Sequence, residues 1–269
     1  MQSESNCCCA KLLESTSLNA TSHITKEAYM AKLSRSITIR FLVFVLVFTA
    51  VLAAQTRPPI ADEIAKASGL DSWSQIDAIR YTFNIPGFKV SRTWTWEPKA
   101  DRVTYEGKDK AGKGVKVTYV RSQLDSQPEN MKKEIDPGFI NDQYWLLLPF
   151  HFVWDTGASI EDKGMQKVPG GKGSAHHVVM KYPSNGGYTP GDTWEVYLGS
   201  DNRIQKMIFH HGGTTKPSLV DVTWEGYKQA GPLWISTEHK GTADGKPVHV
   251  FFTDVAVKVA GSDNWVEAK

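Results

Sequence analysis

From Ile76 onward, apolar and polar side chains alternate in short runs separated by turn formers, the period-two signature of β-strands. Ile79, Tyr81, Phe83 and Ile85 mark the first run. Val90, Arg92, Trp94 and Trp96 then alternate with Lys89, Ser91, Thr93 and Thr95. Asp101–Tyr105 follows an EPKAD turn, and Val115–Val120 follows the glycine-rich GKDKAGKG segment. The second half repeats the pattern over Ala175–Tyr182, Thr193–Leu198, Arg203–His210, Leu219–Tyr227, Leu233–Lys240 and Pro247–Val257. GSDN at 199–202 and ADG at 243–245 read as hairpin turns, where glycine, Asn or Asp supplies positive φ. Trp194, Val196 and Leu198 share one strand face, as do Val220, Val222 and Trp224.

Two stretches break this period. Pro59–Ala67 reads as a short opening helix with Ile60, Ile64 and Ala67 on one face and Gly69 as its stop. The second is Phe139–Trp154, FINDQYWLLLPFHFVW. Asp136 followed by Pro137 reads as an N-cap with proline at the first helical position, and Pro149 is expected to end that helix. His151–Trp154 then reads as a strand by its aromatic content. Tyr144–Leu148 is apolar on every side, so it needs a cover all round. Residues 122–138 read as polar and turn-rich, and Asp155–Gly173 as a mobile glycine-rich loop.

Strands that alternate and are joined by tight turns imply one large antiparallel sheet with an apolar face to bury. The expected fold is therefore mainly β: a large curved sheet, an incomplete barrel of about 10–11 strands, covered by two helices. Two helices cannot fill the span of such a sheet, which favours a half-open barrel with an apolar cavity over a packed core.

Composition modifies this picture at the N-terminus. Phe41–Ala54 is an apolar run preceded by Lys32, Arg35 and Arg40, too short for the roughly twenty residues of a spanning helix. It reads as a signal peptide cleaved near Ala53 or Ala54. Residues 1–54 are thus an N-terminal extension with a signal (hydrophobic core 41–54), and 55–269 a single β domain, soluble and periplasmic or secreted. Met30 would start a signal of ordinary proportions, so 1–29 read as lying upstream of the true start; a translated disordered tail is the other reading. Cys7, Cys8 and Cys9 are the only cysteines, so the mature part has no thiol nucleophile, disulfide or cysteine-ligated zinc. Residues 1–54 hold five Lys/Arg and three Asp/Glu, which leaves 26 of each sign in the remainder. A formally neutral domain lacks the basic stripe of a nucleic-acid binder.

Candidate chemistry is sparse. His176-His177 and His210-His211 are adjacent pairs on strands, so the rings of each pair point to opposite faces and cannot chelate together. His239 and His249 lie across a hairpin and could approach each other, but no third metal ligand stands out. No G-x-S-x-G elbow, glycosidase pair or phosphate-binding loop is evident. No cofactor, metal site or catalytic residue is implied. What remains is aromatic: all nine tryptophans follow residue 54. Trp94, Trp96, Tyr144, Trp145, Phe150, Phe152 and Trp154 are the candidate lining of a hydrophobic ligand site, and packed core is the alternative role for the same rings.

The opening helix ending at Gly69, Trp73, the strand run, one central helix and further strands together resemble the LolA/LolB-like periplasmic lipoprotein-carrier superfamily. The W-x-W strand (Trp94–Trp96) and the YWLL-x-PF segment (Tyr144–Phe150) resemble uncharacterised exported bacterial proteins of that kind. The resemblance spans 56–269 and implies an incomplete barrel lidded by helices that binds a lipid or acyl chain in its concave face. It also implies transient contact with a membrane or lipoprotein. It transfers no catalytic residue, and the oligomeric state stays open. A protein-interaction module with a self-filled core and a hydrolase with an unseen site are the other readings.

Overall fold

Two α-helices and a thirteen-stranded antiparallel sheet make up this computed structural model, which describes residues 57–109, 112–212 and 218–269. The apolar run 41–54, the expected cleavage positions and Cys7–Cys9 lie outside the described residues. Arg57–Lys269 forms one compact unit. Helix α1 (Pro59–Ala67) opens it and ends where expected, at Gly69 with φ 102°. A Cβ there would lie 2.6 Å from the Pro232 carbonyl oxygen, so glycine permits both the left-handed turn and the close approach.

Strands β1 (Ile76–Ile85), β2 (Val90–Glu97), β3 (Arg102–Lys108) and β4 (Gly114–Val120) form a meander. Helix α2 (Asp136–Trp154) follows. Then come β5 (Ser159–Lys167), β6 (Ser174–Lys181), β7 (Thr193–Leu198), β8 (Ile204–His211) and β9 (Ser218–Thr223). The last strands are β10 (Glu225–Ala230), β11 (Leu233–Ala243), β12 (Lys246–Val259) and β13 (Trp265–Glu267). The order is β4-β3-β2-β1-β12-β11-β9-β8-β7-β6-β5, with β10 paired to β11 and β13 to β12. The two edges, β4 and β5, are consecutive in the chain, yet they do not pair. The chain between them crosses the inner face as α2, and the sheet stays open.

The curvature follows from contacts of α2. Phe139 meets Trp94 and Trp96 on β2, and Tyr144, five residues on, meets Trp194 on β7. β2 and β7 are six strand spacings apart, about 29 Å in a flat sheet. A helix about 10–12 Å across cannot touch both unless the sheet wraps around it. Register shifts within the β1–β12, β5–β6 and β7–β8 pairs add local bend.

Several expectations are corrected. Pro149 does not end the helix: Leu147 leaves helical geometry (φ −115°, ψ 19°), and the chain resumes as helix to Trp154. That kink accommodates the missing N–H and the ring clash, and burial on all sides holds the rod together. His151–Trp154 is therefore helix, not strand. Asp136 is not a cap; a π-helical turn, Met131–Ile135, leads directly into α2. Residues 121–126 form a 3₁₀ turn. Within Asp155–Gly173, Ser159–Lys167 is a strand, an edge exposed on both sides whose charges gave no period-two signal. Leu219–Tyr227 divides at Trp224, because β9 pairs with the far part of β11 and β10 with its near part. β5, β10 and β13 raise the strand number to thirteen. His239 and His249 do not approach as partners. His239 sits opposite Val250 and points inward, while His249 bonds Glu238 at 2.7 Å on the outer face.

One continuous buried cluster joins α1, α2 and inward residues from β1 to β12. The trough expected to stay empty is largely filled by the protein's own rings. Two buried carboxylates fix α2 within it. Asp142 accepts from Arg92 Nε (2.7 Å), Trp94 Nε1 (2.7 Å) and Asn141 Nδ2 (3.0 Å). Burial pushes the Asp142 carboxyl up, against the pull of the Arg92 guanidinium and these bonds. Asp136 accepts from Tyr119 (2.8 Å), Arg121 Nε (2.9 Å) and Tyr188.

His239 is fully buried, its ring 3.9 Å from that of Trp224 and also near Trp145 and Phe252. Burial drives its imidazole down to about 3, against the Thr223 backbone carbonyl. Protons therefore bind the unfolded chain first. The stability this neutral ring confers is complete above about pH 6.5 and falls as pH drops towards 3. His239→Met should remove about 2 kcal/mol of the stability lost between pH 7 and pH 5, measured by urea unfolding; an unchanged pH slope contradicts this. Arg92→Met should cost about 3 kcal/mol at pH 7 by leaving Asp142 buried without its cation, and adding Asp142→Asn should recover part of that. Loss of under about 0.5 kcal/mol would show that the pair does not hold α2.

Candidate functional site

The last turn of α2, the turn at 155–158 and the segment 182–189 enclose a cleft of about 590 Å³ that opens to solvent. Its walls are mainly apolar: Trp96 from β2, Ile140, Tyr144 and Trp154 from α2, and Tyr182 and Tyr188 beyond β6. A smaller recess of about 180 Å³ shares Ile140, Tyr144, Tyr188 and Thr189 with it.

Local sequence explains each wall. The kink at Leu147 lies between Tyr144 and His151, whose rings stack at 3.7 Å and 12°. Trp154, the last helical residue, packs on Phe150 (5.2 Å) and Trp73 (4.8 Å). Residues 183–191 form a loop closed at its base by Tyr182 N to Asp192 O (2.9 Å) and Gly191 N to Pro183 O (2.7 Å). Gly186 and Gly187, with φ of 82° and 70°, shape the turn that carries Tyr188 back to Asp136. Tyr188 is thus tied across one side of the cleft.

The polar floor is a connected network. Asp155 Oδ2 accepts from Tyr144 Oη (2.6 Å), Tyr182 Oη (2.5 Å) and His151 Nδ1 (2.9 Å). The other His151 nitrogen lies 3.0 Å from Oε1 of Gln143. Burial raises the Asp155 carboxyl, but the bond and the charge interaction with His151, together with the bonds from Tyr144 and Tyr182, outweigh it and hold it below its usual range. Burial first, and the neighbouring Asp155 charge with it, push the Tyr144 and Tyr182 hydroxyls well up, so both stay protonated donors. Arg121 also lines the cleft, held by Asp136 beneath it.

Of the seven aromatic candidates, the structure brings Trp96, Tyr144 and Trp154 together around this cleft. Trp145 borders the smaller recess and otherwise packs against Trp224 and His239. Trp94, Phe150 and Phe152 are buried core; Trp94 lies between Tyr105 and Phe139 while donating to Asp142. Sequence reasoning missed Arg121, Gln143, His151, Asp155, Tyr182 and Tyr188. Polar Asp142 and Gln143 inside an apolar helix were the available signal.

Each ring of the two adjacent histidine pairs has a carboxylate beside it: Asp162 for His176, Glu195 for His177 and His210, Asp192 for His211. Among the described residues, no three His, Asp or Glu side chains converge as a metal site requires. No described helix is long and apolar enough to cross a membrane.

No protein-family model matches the chain, and no curated protein matches it. Among solved structures, it is similar to the crystal structure of a DUF1329 family protein from Desulfovibrio piger. The two share 9% identity, and the likeness covers 76% of this chain and 94% of that one at a TM-score of 0.42. A likeness at that level carries no argument about residue roles or activity.

Proposed function

We propose that this protein binds a hydrophobic ligand, a lipid or acyl chain, in the cleft at the C-terminal end of α2, and carries it outside the cytoplasmic membrane. The observation that supports the reading is the cleft itself. About 590 Å³ of mainly apolar-walled space stands beside a largely filled interior, within the size range of small-molecule sites. Export rests on the charged and apolar run ahead of residue 55, and transient contact with a membrane or lipoprotein would load the cleft.

Carriage needs only burial. Each buried methylene contributes about 0.8 kcal/mol, so ten of them give roughly 8 kcal/mol before the cost of association. Micromolar affinity is therefore the upper bound for ten methylenes, and the cost of association weakens it from there, which suits a carrier that must also release. The filled interior supports a second reading, an interaction module with a self-filled core, for which the cleft would have no occupant.

Gly157 distinguishes them. It lines the cleft, and a Cβ there meets nothing within 4 Å. Gly157→Trp should therefore fill the cleft without disturbing the fold. Dodecyl-chain probes, titrated below their aggregation threshold, should bind the native protein. The variant should bind at least about tenfold more weakly with an unchanged melting temperature. Native protein that binds none of them favours the self-filled module.

A further inference from the structure

We propose that residues 183–191 are a strap that lifts to admit the ligand, and that the Tyr188 hydroxyl is its latch. This inference rests on the cleft being a ligand site. The strap borders both spaces beside α2. Tyr188 and Thr189 line the cleft of about 590 Å³ and the recess of about 180 Å³, as do Ile140 and Tyr144 of the helix. With the strap down these are two compartments; with it lifted they join into one groove along α2.

The base of the strap is fixed and its span is not. The Tyr182–Asp192 and Gly191–Pro183 backbone bonds close the two feet, and Asp192 N to Thr189 O at 3.1 Å turns the chain at one of them. Between the feet, residues 183–188 are exposed, and a Cβ added at Gly186 or Gly187 would meet nothing within 4 Å. Tyr188 itself is 46% exposed. Lifting the span therefore uncovers little apolar surface of its own, which is the condition for easy local opening.

Tyr188 Oη holds the span down by donating to Asp136, 52 positions away at the start of α2. Burial first, then the bond and charge of Asp136, push this hydroxyl up, so it stays a protonated donor. Asp136 can release it without becoming a bare buried charge, because Tyr119 Oη (2.8 Å) and Arg121 Nε (2.9 Å) remain on it. A hydrogen bond to a charged group shifts the closed-to-open ratio roughly ten- to a hundredfold. That is strong enough to keep the strap down and weak enough to let it lift.

A latch and a plain wall differ in kinetics. Entry and exit of dodecyl maltoside, below its aggregation threshold, are followed by stopped-flow tryptophan emission. Tyr188→Phe removes the hydroxyl and keeps the ring. A ligand that passes through the open state enters and leaves in proportion to the open population. Both rates should therefore rise at least about tenfold in Tyr188→Phe, while their ratio moves by less than about threefold. Gly187→Ala repeats the test through the backbone alone. Its φ of 70° suits the closed strap to glycine, so alanine should raise both rates about fivefold with an unchanged melting temperature. Gly187→Ala decides the matter by itself if Tyr188→Phe folds poorly. Entry that is no faster in the folded variants, including faster exit alone, overturns the strap and leaves the cleft standing as a ligand site. Native protein that does not bind the probe overturns both.

Discussion

A helix that is apolar around its whole circumference has to be covered on every side, and this requirement organises the fold. Helix α2 connects β4 to β5, the two edges that would otherwise meet. Because the helix crosses the inner face, the sheet is held open, and because its rings reach from β2 to β7, the sheet must bend around it. The same demand lets the helix survive Pro149. Ending there would leave Phe150 and Phe152, both now buried, without the packing that covers them.

Such a helix needs fixed orientation as well as cover, and polar groups supply it. Asp136 and Asp142 are placed so that β2 and the end of β4 each hold α2 through a buried carboxylate with an arginine and an aromatic donor. Removing either arginine leaves a charge in the core, which makes these contacts specific as well as adhesive. Asp155 departs from the pattern. It collects two tyrosine hydroxyls and a histidine at the floor of a cleft, with no arginine of its own.

Much of the sheet was legible because a strand with one buried face writes its period into the chain. Trp194, Val196 and Leu198, or Val222 and Trp224, face inward as their spacing implies. β5 was not legible, since an edge strand exposed on both sides has no apolar period. The helix beyond Pro149 was hidden for another reason: local preference opposes it, and only burial by distant strands overrides that preference. Trp96, Tyr144 and Trp154 could be named from their aromatic character. Tyr182, Tyr188 and Arg121 could not, because a polar network joining residues dozens of positions apart leaves no spacing rule behind. Trp94 and Phe150 show the converse limit, since a ring in the core and a ring in a cleft look alike in sequence.

The filled interior and the open cleft assign different places to a ligand. Crystals grown with a bromine-terminated alkyl amphiphile would locate it through the anomalous signal of bromine. A single site among Trp96, Trp154 and Tyr182, with α2 unmoved, is the expected result. Bromine beneath α2 beside Trp145, Trp224 and His239, with the helix displaced, would contradict it, as would a cleft that holds none.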